Sequence, residues 1–437
     1  MLRRLAGMAL VASVAVATFA ARGGSAVEAQ APPSPTTRTA TATFTPTPTP
    51  GPWPMFQHDP RRTGRSQFPG PARVGRLWAY DTGTGALTGS PIVGADGTIY
   101  VGGGGYLHAI SPSGAPLWRL PVGASFGTAL QAPDGILYAT GATGTTNSVY
   151  QIWLDGTILS RFSVTGSLST PLALALAADG TVYFGVGNSL GTGGVLYALT
   201  PNPLAGTMAV RWQLNTGFLA GSQPAVDPFT GVVYFGSYDV GGTLYAVAPD
   251  GTLLGRSETL GYINSSPSIE TDGTIYVGAG TGLYAVTPNR LVRWVYRTEQ
   301  PINYSSPSID IDGTIYVGAG DALLALDRDG RLRWRQSCLP GGRVNSSAAI
   351  SSDGLVYYQA ILPGGVPSAA LCMTDPSGVL RWSYQTQHSG ENGPQVSSPA
   401  IGAASVVYVG SPDGVVLALV SAPANPAARV SLPLVTR

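Results

Sequence analysis

One heptapeptide constrains this chain more than anything else in it. Asp96-Gly97-Thr98-Ile99-Tyr100-Val101-Gly102 recurs letter for letter at residues 272–278 and again at 312–318. Near copies stand at 134–138, 179–185, 231–236, 353–357 and 405–410, which makes eight units. Their spacing, about 40 residues, is the size of one four-stranded propeller blade. In one well-formed unit a short strand over 265–269 leads into an Asp-Gly turn, and strand-like runs follow at 274–277, 282–286 and 291–296. Short β-rich runs joined by Asp-Gly turns read as antiparallel hairpins. Pro267 fits the first run, because the innermost strand of a blade leaves one edge unpaired.

The eighth unit lacks its outer strand, whereas an unattached run, Arg76-Leu77-Trp78-Ala79-Tyr80, stands before the first complete unit. Joining the two closes a ring and removes its open edges. The expected fold is therefore all-β: a single eight-bladed propeller of four-stranded antiparallel blades, closed by an N-terminal outer strand. Seven blades remain the alternative if one weak unit is misread.

The ends are of different composition. Arg3 and Arg4 precede an apolar run over 5–20, with small residues around Ala26 and Ala29, the pattern of an export signal over 1–29. An uncleaved anchor is the rival, and only then would the chain meet a membrane. A Thr/Pro tract over 30–52 reads as an extended linker. The propeller is expected over 53–420, followed by an Ala/Pro-rich tail over 421–437. A formal charge of +1 gives no electrostatic case for nucleic acid. All 24 basic residues are Arg, so lysine Schiff-base chemistry is excluded.

Runs such as Leu323-Leu324-Ala325-Leu326-Asp327 through Gly330-Arg331-Leu332-Arg333-Trp334 resemble the repeat of pyrroloquinoline-quinone (PQQ) enzymes, also found in the outer-membrane assembly factor BamB. The lead-in Trp53-Pro54-Met55-Phe56-Gln57-His58-Asp59-Pro60 is similar to that of many such proteins. The resemblance implies that Trp78, Trp118, Trp212, Trp294, Trp334 and Trp382 are docking residues packed between blades. Units two and four lack one. The resemblance speaks to fold far more than to activity, since one propeller scaffold hosts many functions.

Strand polarity puts both turns of a unit on one rim, and the variable loops with the blade connectors on the other. Most acidic residues are Asp in the turns, where that residue caps the local backbone. The loop rim is the expected binding face. Its candidate residues are Tyr262, Asn264, Asn303, Tyr304, Asn345 and Asn392, around a central mouth lined by Asn, Tyr and Ser that suits a protein, peptide or glycan, or simply channel water. Cys338 and Cys372 fall toward that rim in neighbouring blades, where an exported protein could bond them. No catalytic or metal-binding constellation stands out, and no cofactor is expected. The leading expectation is thus an extracytoplasmic, non-catalytic binding scaffold. A PQQ- and calcium-dependent dehydrogenase is one alternative, weakened by the lack of adjacent cysteines and of a haem-attachment motif. A BamB-like assembly factor is the other.

Overall fold

The computed structural model describes residues 51–422, apart from 84–86, 88, 124–126, 166–173, 188–192, 218, 220, 239–240, 258–260, 363–368 and 387–396. The expected signal segment, nearly all of the linker, the tail beyond 422 and the candidate Asn392 lie outside the described residues.

Eight four-stranded antiparallel sheets form an eight-bladed propeller. Blades 1 to 7 occupy residues 92–121, 130–165, 174–216, 225–257, 268–297, 308–336 and 349–385. Blade 8 combines 400–420 with the N-terminal strand Gly75–Asp81, which pairs antiparallel with Val415–Val420. The three inner strands of a blade are almost wholly buried, while outer strands such as Val292–Arg297 alternate between exposed and half-buried. Five units, blades 1, 2, 3, 5 and 6, write the Asp-Gly turn in the same atoms. The Thr98 amide donates to Asp96 Oδ1 at 3.0 Å, and Thr274 and Thr314 do so to Asp272 and Asp312 at 2.8 Å. Gly97 takes the left-handed backbone the turn needs, with φ of 81°. The last glycine of the heptapeptide has another reason. A Cβ on Gly278 would stand 2.4 Å from Ile302, the apolar residue of the next connector.

The six outer-strand tryptophans dock each blade onto its neighbour. Each lies beside a β-bulge in the outer ladder, as where the register shifts after Ala285↔Trp294, and bulges re-aim side chains. Each indole N–H donates to a main-chain carbonyl outside its own blade: Pro112, Leu154, Pro249, Arg328, Pro376 and, for Trp382, Pro71. Each ring also leans on its own blade's second-strand tyrosine, as Trp294 does on Tyr276 with centroids 5.8 Å apart. Such aromatic contacts contribute about 0.5–1.5 kcal/mol beyond area burial.

Blades 2 and 4 show what replaces the tryptophan. In blade 4 its place is Gly255, opposite Ala246. The facing turn of blade 5 carries Arg290 at positive φ where the other turns carry glycine, and a Cβ on Gly255 would meet its guanidinium Nε at 2.6 Å. An arginine reaching one way thus substitutes for a tryptophan reaching the other. In blade 2 the place falls to Ser160, bonded to Gln151 at 2.7 Å. The facing hairpin of blade 3 is lengthened, with strands running to Asn202 and restarting at Thr207.

Cys338, just beyond the outer strand of blade 6, is joined by a disulfide to Cys372 in blade 7, with Cα atoms 6.2 Å apart.

Two measurements check these junctions. In chemical denaturation, Gly255→Trp combined with Arg290→Gly should lose less stability than the two single changes summed, by at least about 0.5 kcal/mol; strict additivity would mean Arg290 is no stand-in. Replacing both cysteines by alanine should cost about 2–4 kcal/mol, read as a lower melting temperature that reductant no longer shifts.

Candidate functional site: a ring sealed on one rim

The lead-in segment uses the free inner edges of the blades. Trp53 exchanges main-chain bonds with Val93 of blade 1, and the Pro54 carbonyl accepts from Gln131 of blade 2. The carbonyls of Pro60, Arg61, Thr63 and Gly64 then accept from Val226, Ile269, Ile309 and Ile350 of blades 4 to 7. All these partners close the first strand just before its turn, so the segment seals the ring on the turn rim. Side chains fill what remains. Gln57, 2% exposed, donates from Nε2 to the Pro307 carbonyl at 2.9 Å.

Arg62, with no solvent exposure, holds the segment in place. Its guanidinium donates to three carbonyls: Phe56 at 2.6 Å, Leu174 of blade 3 at 2.7 Å and Pro224 next to blade 4 at 3.1 Å. Burial pushes its pKa down to about 10, against the opposing pull of Asp59, so it stays charged at neutral pH. Burial also opposes the charge on Asp59. The His58 ring and the Thr63 hydroxyl and amide more than offset that, and leave this carboxyl below its ordinary value. A buried cation is tolerable only when its donors are satisfied.

The serines expected at the mouth are already spent. In six blades the second serine or threonine of the first-strand segment accepts from an amide of the preceding blade. Ser266 accepts from Gln223, Ser306 from Ser266, Ser347 from Ser306, Ser398 from Ser347, Ser90 from Ser398 and Thr128 from Ser90, all at 2.9–3.2 Å. The serine before it caps its own blade, as Ser265 does by accepting from Gly278. A polar mouth built on these hydroxyls is corrected accordingly: they are cross-links between and within blades, 0–1% exposed at Ser265, Ser266, Ser305 and Ser306.

The other candidates stand on the loop rim. Asn264, Tyr304 and Asn345 occupy the same position in three successive connectors, one residue before the capping serine. All three and Asn303 are half-buried, while Tyr262 is 49% exposed. Tyr304 holds positive φ, at 61°. The Tyr262 ring lies 5.0 Å from that of Tyr238, a loop residue of blade 4 that sequence reasoning placed only within a variable loop. Burial raises the Tyr304 hydroxyl pKa, and the neighbouring Tyr238 raises it further. The structure thus brings together Tyr238, Tyr262 and Tyr304 over blades 4 to 6, while Asn264 and Asn345 hold equivalent connector positions on the same rim.

The family profile described as outer membrane protein assembly factor BamB matches residues 71–215 and 194–428, more than half of the sequence. The chain belongs to this PQQ-type repeat family. Compared with curated proteins by sequence, it matches none. Among solved structures it is similar to BamB from Moraxella catarrhalis, at 12% identity and a TM-score of 0.57 over 79% of this chain and 99% of that one. It is also similar to Sqt1 from Saccharomyces cerevisiae, at 15% identity and a TM-score of 0.63 over 80% and 100%. Sqt1 from Chaetomium thermophilum, bound to the N-terminus of ribosomal protein L10, gives 15% identity and 0.60 over 79% and 99%. At such identities these structures speak to the fold.

The PQQ repeat raises the question whether a quinone with calcium fits this member. Among the described residues no three of His, Cys, Asp and Glu converge to hold a metal. Of the loop-rim carboxylates, Asp321 is paired with Arg335, Asp81 caps the Gly83 amide, Asp413 binds Ser411 and Glu299 stands in the connector after blade 5, whereas Asp239, Glu258 and Glu391 lie outside the described residues. The first-strand hydroxyls are engaged by main-chain amides and no carboxylate cluster converges among the described residues, so these do not fit that pair.

Arg62→Met keeps much of the volume but strands three buried carbonyls. It should cost about 3 kcal/mol or more, and hydrogen exchange should lose protection at the amides of Val226, Ile269, Ile309 and Ile350 while blade interiors keep theirs. Unchanged protection would show that the main-chain bonds alone hold the lead-in.

Proposed function

We propose that this protein is an extracytoplasmic, non-catalytic scaffold that binds a protein or peptide partner on its loop rim. The observation that carries this reading is the cluster of Tyr238, Tyr262 and Tyr304 on the rim that also carries Asn264 and Asn345. Tyrosine offers large amphipathic contact area at low conformational cost, and amides add directional hydrogen bonds. The lead-in reaches the ring on the opposite rim, so it does not cover this cluster. The family of assembly factors and the Sqt1 structure with a ribosomal protein terminus support a propeller of this shape as a holder of protein. The apolar N-terminal run and the Cys338–Cys372 bond support an oxidising, extracytoplasmic setting.

The test is capture of partners from the extracytoplasmic fraction by the purified full chain, beside the triple variant Tyr238→Ala, Tyr262→Ala, Asn264→Ala. The reading expects a protein retained by the parent, cross-linked to the loop rim, and reduced at least about tenfold by the variant. Binding that survives proteolysis of the captured fraction would point to a glycan instead. Saturable uptake of PQQ with calcium and dye-linked turnover would overturn the scaffold reading.

A further inference from the structure

Between blades 2 and 3 neither a tryptophan nor an arginine fills the junction, only Ser160 and a lengthened hairpin, and beside it on the turn rim a cavity of ≈ 680 Å³ runs from the lead-in to that hairpin. Its volume is within the range of ligand sites. In six blades the second-strand tyrosine leans on a docking tryptophan, and in blade 4 Arg290 fills the gap. In blade 2 the tryptophan place is Ser160, and Tyr138 lines the cavity instead. Met55 of the lead-in and Leu176 of blade 3 line it too, and Pro201, Pro203 and Pro228 border it.

Two large apolar side chains stand beside this cleft in water. Leu204, next to Pro203, is 91% exposed, and Phe229, next to Pro228, is 82% exposed. Neither is loose. Asn202 Oδ1 accepts from the Ala205 amide at 3.0 Å and Asp227 Oδ1 from the Phe229 amide at 2.9 Å, so side-chain-capped turns hold both outward. Exposed apolar groups held beside an apolar cleft mark an interaction site. The charge at its mouth is acidic. Asp134 caps the Ile136 amide and has no cationic partner among the described residues, while Asp179 shares its charge with Arg211 at 2.7 Å.

We infer that this cleft is a second binding site, distinct from the loop rim, which takes a peptide segment of a protein partner: an aromatic or branched aliphatic side chain beside a basic residue. The anchor enters between blades 2 and 3 and meets Tyr138, Met55 and Leu176. Phe229 and Leu204 clasp the segment from outside, and its cation lies against Asp134. The site stands or falls independently of the loop-rim reading.

A random peptide library displayed on phage and selected on the immobilised full chain tests this directly. The enriched peptides should pair Trp, Phe or Leu with an adjacent Arg or Lys. A synthetic peptide of that consensus should then bind about tenfold more weakly to Phe229→Ser and Leu204→Ser. It should lose binding to Ala178→Trp, which fills the cleft from an exposed turn position. Asp134→Asn should weaken binding and flatten its salt dependence, and Tyr262→Ala should leave it unchanged. These are surface changes, so melting temperatures should match the parent. Failure to enrich any peptide, including failure because residues before Gly51 fill the cleft, would overturn the inference. So would peptides whose binding ignores Ala178→Trp.

Discussion

Everything in this molecule depends on one antiparallel ladder, the pairing of Gly75–Asp81 with Val415–Val420. A sheet blade has two edges, and a row of blades has two ends with nothing to pack against. The ladder ties residues near the two ends of the ring into one sheet, with Gly75 opposite Val420 and Asp81 opposite Val415. Once it forms, every blade has a neighbour on each side, and the tryptophan and serine contacts that join blades can run round the circle. The same closure fixes the axis across which the lead-in segment lies.

Those inter-blade contacts divide the work by radius. Near the axis, hydroxyls of Ser266, Ser306, Ser347 and Ser398 accept amides of the blade before. Far from it, indole rings reach the turns of the blade after. Hydroxyls suit the crowded interior because they satisfy main-chain donors with few atoms. Tryptophan suits the periphery, where the wedge between blades is widest and a large ring fills it. Binding surface is left at the rims alone, and the two rims differ: one is roofed by the lead-in, the other carries the variable loops.

The sequence made the ring legible because repetition is visible along the chain. The Asp-Gly turns, the tyrosine after them and the stray strand around Trp78 announce blades and closure without any knowledge of contacts. The role of Arg62 was not legible. Its partners are main-chain carbonyls of Leu174 and Pro224, 112 and 162 residues away, and a carbonyl leaves no mark on residue type. The exchange of tryptophan for Arg290 was hidden likewise, since the two residues lie in different blades on facing surfaces. At the loop rim, the sequence allowed Tyr262, Asn264, Tyr304 and Asn345 to be named as candidates by position in the connectors. The pairing with Tyr238 was not legible, because only the curvature of the ring brings loop and connector together. The serines misled for a related reason: their pattern looks like an open polar mouth until the neighbouring amide supplies the donor.

The lead-in also sets an order of events. Residues 53–81 leave the ribosome before any blade, yet their partners stretch from Val93 to Val420. The first strand made is the last to be paired. A chain interrupted anywhere before Val415 must carry its blades as an open arc, with Gly75–Asp81 unpaired and both terminal edges bare. Maturation therefore ends in a single late event, in which two distant ends of the polypeptide meet.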